Sequence, residues 1–151
     1  EARASVDLDT IIVIAASFAL GTAMEKSGLA AHAAELVIGA GGAGSVRGAL
    51  LGIVLATVVT TELITNNAAA ALLFPIAYAS AHQLGIDARP FVIAVAVAAS
   101  NSFLTPIGYQ TNTMVYGPGG YRFTDYIRVG LPLTITTVIT TVLVIPWAWK
   151  L

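Results

Sequence analysis

The amino-acid sequence predicts an all-α integral membrane fold, and three observations carry that expectation. Hydrophobic residues make up 57% of the chain and charged residues only 10%, against roughly 25% charged in a soluble domain. Charge-free runs cover 10–24, 48–61, 63–86, 90–121 and 129–149. A mean hydropathy of +0.85 leaves too little polar surface to cover a water-soluble core.

Composition also narrows the function classes. A net charge of -1 without a basic run argues against nucleic acid or a polybasic lipid-binding patch as partner. The absence of cysteine excludes disulfides, thiol catalysis and cysteine-ligated metals, and two isolated histidines, His32 and His82, do not form a metal cluster. No catalytic dyad stands in the apolar segments, so neither an enzyme nor a cofactor is expected. The chain begins with Glu1 and shows no signal-peptide pattern, and it reads as a fragment whose upstream part is missing.

The first helix is expected from Ile11 behind an Asp9-Thr10 cap. Its apolar stretch is short, so it should tilt or continue as an amphipathic helix from Glu25 through Glu35. Residues 39–45 are glycine-rich and read as a loop. Arg47 opens the most informative block: an apolar arm over 48–64, the interruption Thr65-Asn66-Asn67, and a second arm over 68–84 ending near His82 and Gly85. An arm of 17 residues is about 25 Å long, short of a hydrocarbon core of about 30 Å. The predicted geometry is a re-entrant hairpin over about 47–86, with its polar tip held at depth, where non-helical backbone is tolerated only inside protein or beside a water-filled cavity.

A broken helix is expected over about 90–118. Apolar residues 90–99 give way to Ser100-Asn101-Ser102 and then to Thr105-Pro106-Ile107-Gly108-Tyr109-Gln110-Thr111-Asn112-Thr113. Pro106 removes a donor and Gly108 adds freedom, so the break is placed there. Pro118-Gly119-Gly120 ends the second piece, Tyr121 to Arg128 form a loop or interfacial helix, and 129–149 is the last span, with Trp147, Trp149 and Lys150 as interface anchors. Arg122 and Arg128 place the loop before it on the cytoplasmic side.

Two apolar helices, each interrupted by a Thr/Asn-rich break, are the pattern expected where a transporter binds ligand near the midplane. A second arm starting at Asn66-Asn67 presents unpaired N–H groups and a positive dipole end to an anion. The first arm ends near Ile64 with unpaired carbonyls that suit a small hard cation. In the second break, carbonyls around Thr105, Pro106 and Gly108 suit the cation, and N–H groups near Thr111 to Thr113 suit the anion. The bland alternatives are a helix-cap turn at Asn66 and Asn67 and an ordinary proline kink at 105–113. Glu62 is the lone acid near the tip, either a structural hydrogen-bonding group or a proton site.

The motifs Thr61-Glu62-Leu63-Ile64-Thr65-Asn66-Asn67-Ala68, Ser102-Phe103-Leu104-Thr105-Pro106-Ile107-Gly108-Tyr109-Gln110-Thr111-Asn112-Thr113 and Tyr116-Gly117-Pro118-Gly119-Gly120-Tyr121 resemble the divalent anion/sodium symporter family, in particular its sulfate and citrate transporter-like permeases. The resemblance covers nearly the whole chain, including Gly21-Thr22-Ala23-Met24-Glu25-Lys26-Ser27-Gly28-Leu29. It implies the second of two inverted repeats, half of a transporter. In that family a Ser-Asn-Thr hairpin tip meets both sodium and the substrate carboxylate; the matching tip here is Thr65-Asn66-Asn67, with the central Asn kept. Tyr109-Gln110-Thr111 stands where dicarboxylate members carry Thr-Pro-Pro, which leans towards sulfate or another small oxyanion.

The expected function is thus sodium-coupled symport of a small divalent anion, sulfate or a di- or tricarboxylate. Substrate is assigned to Thr65, Asn66, Asn67, Tyr109, Gln110, Thr111, Asn112 and Thr113, and Na+ to Thr61, Ile64, Asn66, Thr105, Pro106 and Gly108. The expected partners are the lipid bilayer of the cell inner (plasma) membrane, the anion, the missing N-terminal repeat and a second copy in a homodimer. A proton-coupled or arsenite-type antiporter of the same superfamily, with Glu62 titrating, is the alternative within transport. A non-transporting membrane assembly subunit is the alternative outside it.

Overall fold

The computed structural model describes residues 8–40 and 45–151. Among them the fold is seven helices and no strand: α1 Leu8–Lys26, α2 Leu29–Ala40, α3 Val46–Leu63, α4 Asn66–Gln83, α5 Arg89–Ala99, α6 Gln110–Tyr116 and α7 Phe123–Trp149.

The N-terminal expectation needs correction. Helix α1 is already formed at Leu8, so Asp9 and Thr10 lie inside it; an acidic residue is as favourable in the first turn as at the cap. Nor does it continue through Glu35. Gly28, at a φ of 75°, turns the chain after Lys26, and Glu35 belongs to the separate helix α2. That helix runs to Ala40, two residues into the expected loop, while 41–44 lie outside the described residues. Ser45 then caps α3, its Oγ accepting from the Gly48 N–H at 3.4 Å.

Helices α3 and α4 are the two apolar arms, joined by the extended residues Ile64 and Thr65. Asn66 and Asn67 stand not in the connection but in the first turn of α4, because the Thr65 side chain accepts from the Ala68 N–H at 3.3 Å and starts the helix there. The far ends of both arms reach α2. Gly52 lies against Val37 so closely that a Cβ would stand 2.8 Å from Val37 Cγ1, and Gln83 Nε2 donates to the Ala31 carbonyl at 3.2 Å. The chain therefore doubles back at Ile64–Thr65.

The core is one cluster that ties both arms to α5 and α7: Leu50, Ile53 and Val54 of α3, Leu73, Ala77 and Ala81 of α4, Phe91, Ala94, Val95 and Ala98 of α5, and Val138 and Ile145 of α7. Alanines on α4 and α5 let these helices approach closely. Large apolar side chains also stand on the outer surface. Leu36, Leu63, Met114, Val129, Leu143 and Trp147 are all exposed, far more apolar surface than a water-soluble monomer carries. Among the described residues two helices are long and apolar enough to cross a membrane, Val46–Leu63 and Phe123–Trp149.

The second break begins earlier than expected. Helix α5 ends at Ala99, seven residues before Pro106, with the Ser100 and Asn101 N–H groups closing onto the carbonyls of Val97 and Ala98. Proline excludes helical hydrogen bonding at its own nitrogen, clashes with the carbonyl four residues back, at Ser102, and disfavours helix at Thr105. Ser100, Asn101 and Ser102 offer side-chain alternatives to backbone pairing, so the helix ends at the first of them. Helix α7 starts at Phe123, so most of the segment expected as a loop or interfacial helix is helical and continuous with the last span. Asp125 Oδ2 accepts from the Arg122 N–H at 2.7 Å, which nucleates its first turn.

Candidate functional site

The two interruptions meet through three side chains and one carbonyl. Thr61, buried on the last turn of α3, has its Oγ 2.8 Å from Asn66 Oδ1, 2.7 Å from the Ala99 carbonyl oxygen and 3.2 Å from Ser102 Oγ. Ser102 Oγ donates to Asn66 Oδ1 at 2.7 Å. Two hydroxyl protons thus serve four clustered oxygens, so the group carries a surplus of lone pairs. That chemistry suits a hard cation, which takes oxygen ligands.

Glu62 forms the second bridge between the breaks. Its Oε1 accepts from the Leu104 N–H at 2.8 Å and its Oε2 from the Thr105 hydroxyl at 2.8 Å. Thr105 Oγ in turn accepts from the Gly108 N–H at 3.0 Å. A Cβ on Gly108 would stand 2.9 Å from Glu62 Oε2 and 3.2 Å from Thr105 Oγ, so any larger residue would press on the carboxylate that bridges the breaks. The ion pair found among the described residues is the exposed His32–Glu35 contact; Glu62 is held by neutral donors. Glu62→Gln is therefore expected to turn an acceptor into a donor facing Leu104 N–H or Thr105, lose one charge-assisted hydrogen bond of about 1.5–3 kcal/mol, and lower the thermal midpoint of the full-length parent. An unchanged midpoint would sink this bridging role.

Other expected site residues have different duties. Asn112 Nδ2 donates to the carbonyls of Ser102 and Thr105 at 2.8 and 3.3 Å. Thr113 Oγ donates to the Pro106 carbonyl at 2.7 Å. The N–H groups of Asn112 and Thr113 both donate to the Tyr109 carbonyl. The carbonyls of Thr105 and Pro106 are thereby engaged within the break, and no contact among the described residues brings them, Gly108 or Ile64 into the oxygen cluster. Thr65, Asn67, Tyr109, Gln110 and Thr111 lie exposed around the two breaks, with Asn66 half-buried between them.

Sequence reasoning missed three participants. The Ser102 side chain and the Ala99 carbonyl complete the oxygen cluster, and the polar run Ser100-Asn101-Ser102 at the end of an apolar helix was the available signal. Tyr126, on the first turn of α7, donates its hydroxyl to the Asn112 carbonyl at 3.0 Å, and its ring contacts those of Tyr116 and Tyr121. Nothing in the sequence pattern set Tyr126 apart from an interface tyrosine.

An all-helical fold with an apolar outer surface and two interruptions joined by buried polar groups is consistent with a membrane transporter, and the comparison of sequences supplies the class. A family model described as the citrate transporter, CitMHS, matches residues 1–151, and the chain belongs to that family, whose members transport rather than catalyse. It is 48% identical over 96% of its length to an uncharacterized transporter of Synechocystis, of which it covers 24%. It is 38% identical over 89% of its length to sodium/sulfate cotransporter 1 of Chlamydomonas reinhardtii, covering 15% of that protein, and 35% identical over 94% of its length to an uncharacterized transporter of Escherichia coli, covering 23%. The chain spans less than a quarter of the length of each of these relatives.

Proposed function

We propose that this chain supplies half of the binding site of a secondary transporter that uses a sodium gradient to move a small divalent oxyanion, sulfate ahead of a di- or tricarboxylate, across the inner (plasma) membrane. The observation that carries the reading is the convergence of Thr61, Asn66, Ser102 and the Ala99 carbonyl on one oxygen cluster between the breaks. These groups would hold the coupling cation, whose charge would favour an anion alongside. The first turn of α4, with the Asn66 and Asn67 amides, and the exposed Tyr109-Gln110-Thr111 stretch supply donors for that anion. Relatives named as sodium/sulfate cotransporters support this choice of ion and substrate. The second tip would come from an N-terminal repeat of the longer parent, packed in a homodimer.

In this reading α3 and α4 form a re-entrant hairpin. Single cysteines at Arg47 and Arg89 of the full-length parent should label with an impermeant thiol reagent from one face of the membrane; labelling from opposite faces would refute the hairpin. The function itself is tested by counterflow of labelled sulfate against succinate in proteoliposomes, with and without sodium. Sodium-dependent exchange that prefers sulfate is expected. Exchange that follows a pH gradient without sodium, and is abolished by Glu62→Gln, would favour the proton-coupled alternative.

A further inference from the structure

Two buried polar atoms beside the second break have no hydrogen-bond partner: Nδ2 of Asn101 and Oγ of Thr134. The residues are 4% and 6% exposed, so most of the covering atoms belong to this chain. Thr134 differs from its neighbours. The hydroxyls of Thr57, Thr60, Ser80, Thr136, Thr137 and Thr141 each donate to the carbonyl one turn back, the usual resting place of a helical hydroxyl. Thr134 does not.

Helix register brings the two orphans to one level. Gly130 lies against the Phe103 carbonyl, while Val138 and Ile145, further along the same buried face of α7, join the core that contains Phe91, Ala94, Val95 and Ala98. Helix α7 thus passes α5 in the opposite direction. Thr134, one turn or about 6 Å beyond Gly130, stands beside the end of α5, where Asn101 lies two residues before Phe103. An amide donor and a hydroxyl share this seam without bonding to each other.

We infer that Asn101 and Thr134 enclose one small neutral guest, a single water molecule, that bridges the break to α7. A buried amide donor and hydroxyl left unpaired are rare in native proteins, and an enclosed water is the usual partner. The donor character of Nδ2 disfavours a cation. Water accepts from Nδ2–H and both donates to and accepts from Oγ. The site is separate from the oxygen cluster and does not depend on the proposed transport reading.

The test is a double-mutant cycle in the full-length parent, read as thermal midpoint. Thr134→Val keeps the shape of the side chain and removes its hydroxyl. With a shared guest, Thr134→Val and Asn101→Leu each lower the midpoint by a few degrees, and the double variant falls no further than the lower single one, because the first substitution already dismantles the bridge. A midpoint that rises in Thr134→Val would show a hydroxyl with nothing to bond, and losses that simply add would show two independent partners; either overturns the proposal. Where Asn101→Leu does not fold, Thr134→Ser against Thr134→Val decides: the guest requires the serine variant to be the more stable, and the reverse order overturns it.

Discussion

If the proposed sodium-coupled reading holds, replacing Asn66 with alanine is expected to raise the sodium concentration for half-maximal uptake by the full-length parent at least tenfold, equivalent to about 1.4 kcal/mol, and to cut transport severely. The reason lies in the bookkeeping of the oxygen cluster. Asn66 Oδ1 is the common acceptor for the hydroxyls of Thr61 and Ser102, and it ties the start of α4 to both the end of α3 and the second break. Removal deletes a neutral oxygen that the proposed cation site would use, without adding charge. It also releases two hydroxyls, which then turn towards the Ala99 carbonyl or each other. Glu62→Gln, which disturbs the neighbouring bridge but not the cluster, should move the sodium half-saturation less. Uptake measured in proteoliposomes over a sodium series separates the outcomes: a lower maximal rate at unchanged half-saturation would make Asn66 a structural tie between the breaks and not a cation ligand.

How far the sequence displays this arrangement depends on what kind of signal each part leaves. The arms of α3 and α4 were legible because a polar Thr-Asn-Asn interruption in a charge-free run has few structural meanings, and the observed reversal at Ile64–Thr65 falls within a residue or two of it. The second break was legible in kind but misplaced at its start. Attention went to Pro106, whereas the helix ends where Ser100 begins to offer competing hydrogen bonds. The same oversight hid Ser102. Ser102 stands beside Ser100 and Asn101, nothing in the sequence ranks one of these polar side chains above another, and only the fold brings it 36 positions back along the chain to Asn66. The Ala99 carbonyl could not have been found by any residue type, since every residue has one. Glu62 was recognised as exceptional, but its partners, a backbone N–H and a threonine hydroxyl across the break, emerge only from tertiary packing.

Gly130→Ala is expected to be among the most damaging single-methyl changes in the chain, although alanine is the better helix former by about 1 kcal/mol. Gly130 sits in α7, where a Cβ would run into the carbonyl of Phe103 and come within 3.1 Å of the Leu104 nitrogen. Both obstacles are backbone, so no side-chain rotation relieves them. Overpacking against side chains costs about 1–3 kcal/mol, and a clash with fixed backbone should exceed that range. Relief requires α7 or residues 103–104 to move. Moving Leu104 breaks its N–H bond to Glu62, and the same displacement draws Ser102 away from Asn66, so stability and sodium affinity should fall together. Gly21→Ala on α1, where a Cβ meets nothing within 4 Å, is the control and should leave the thermal midpoint unchanged or raised. If Gly130→Ala behaves like Gly21→Ala, with a preserved midpoint and preserved sodium-dependent uptake, then α7 does not press on the break and the packing that positions the proposed site is wrong.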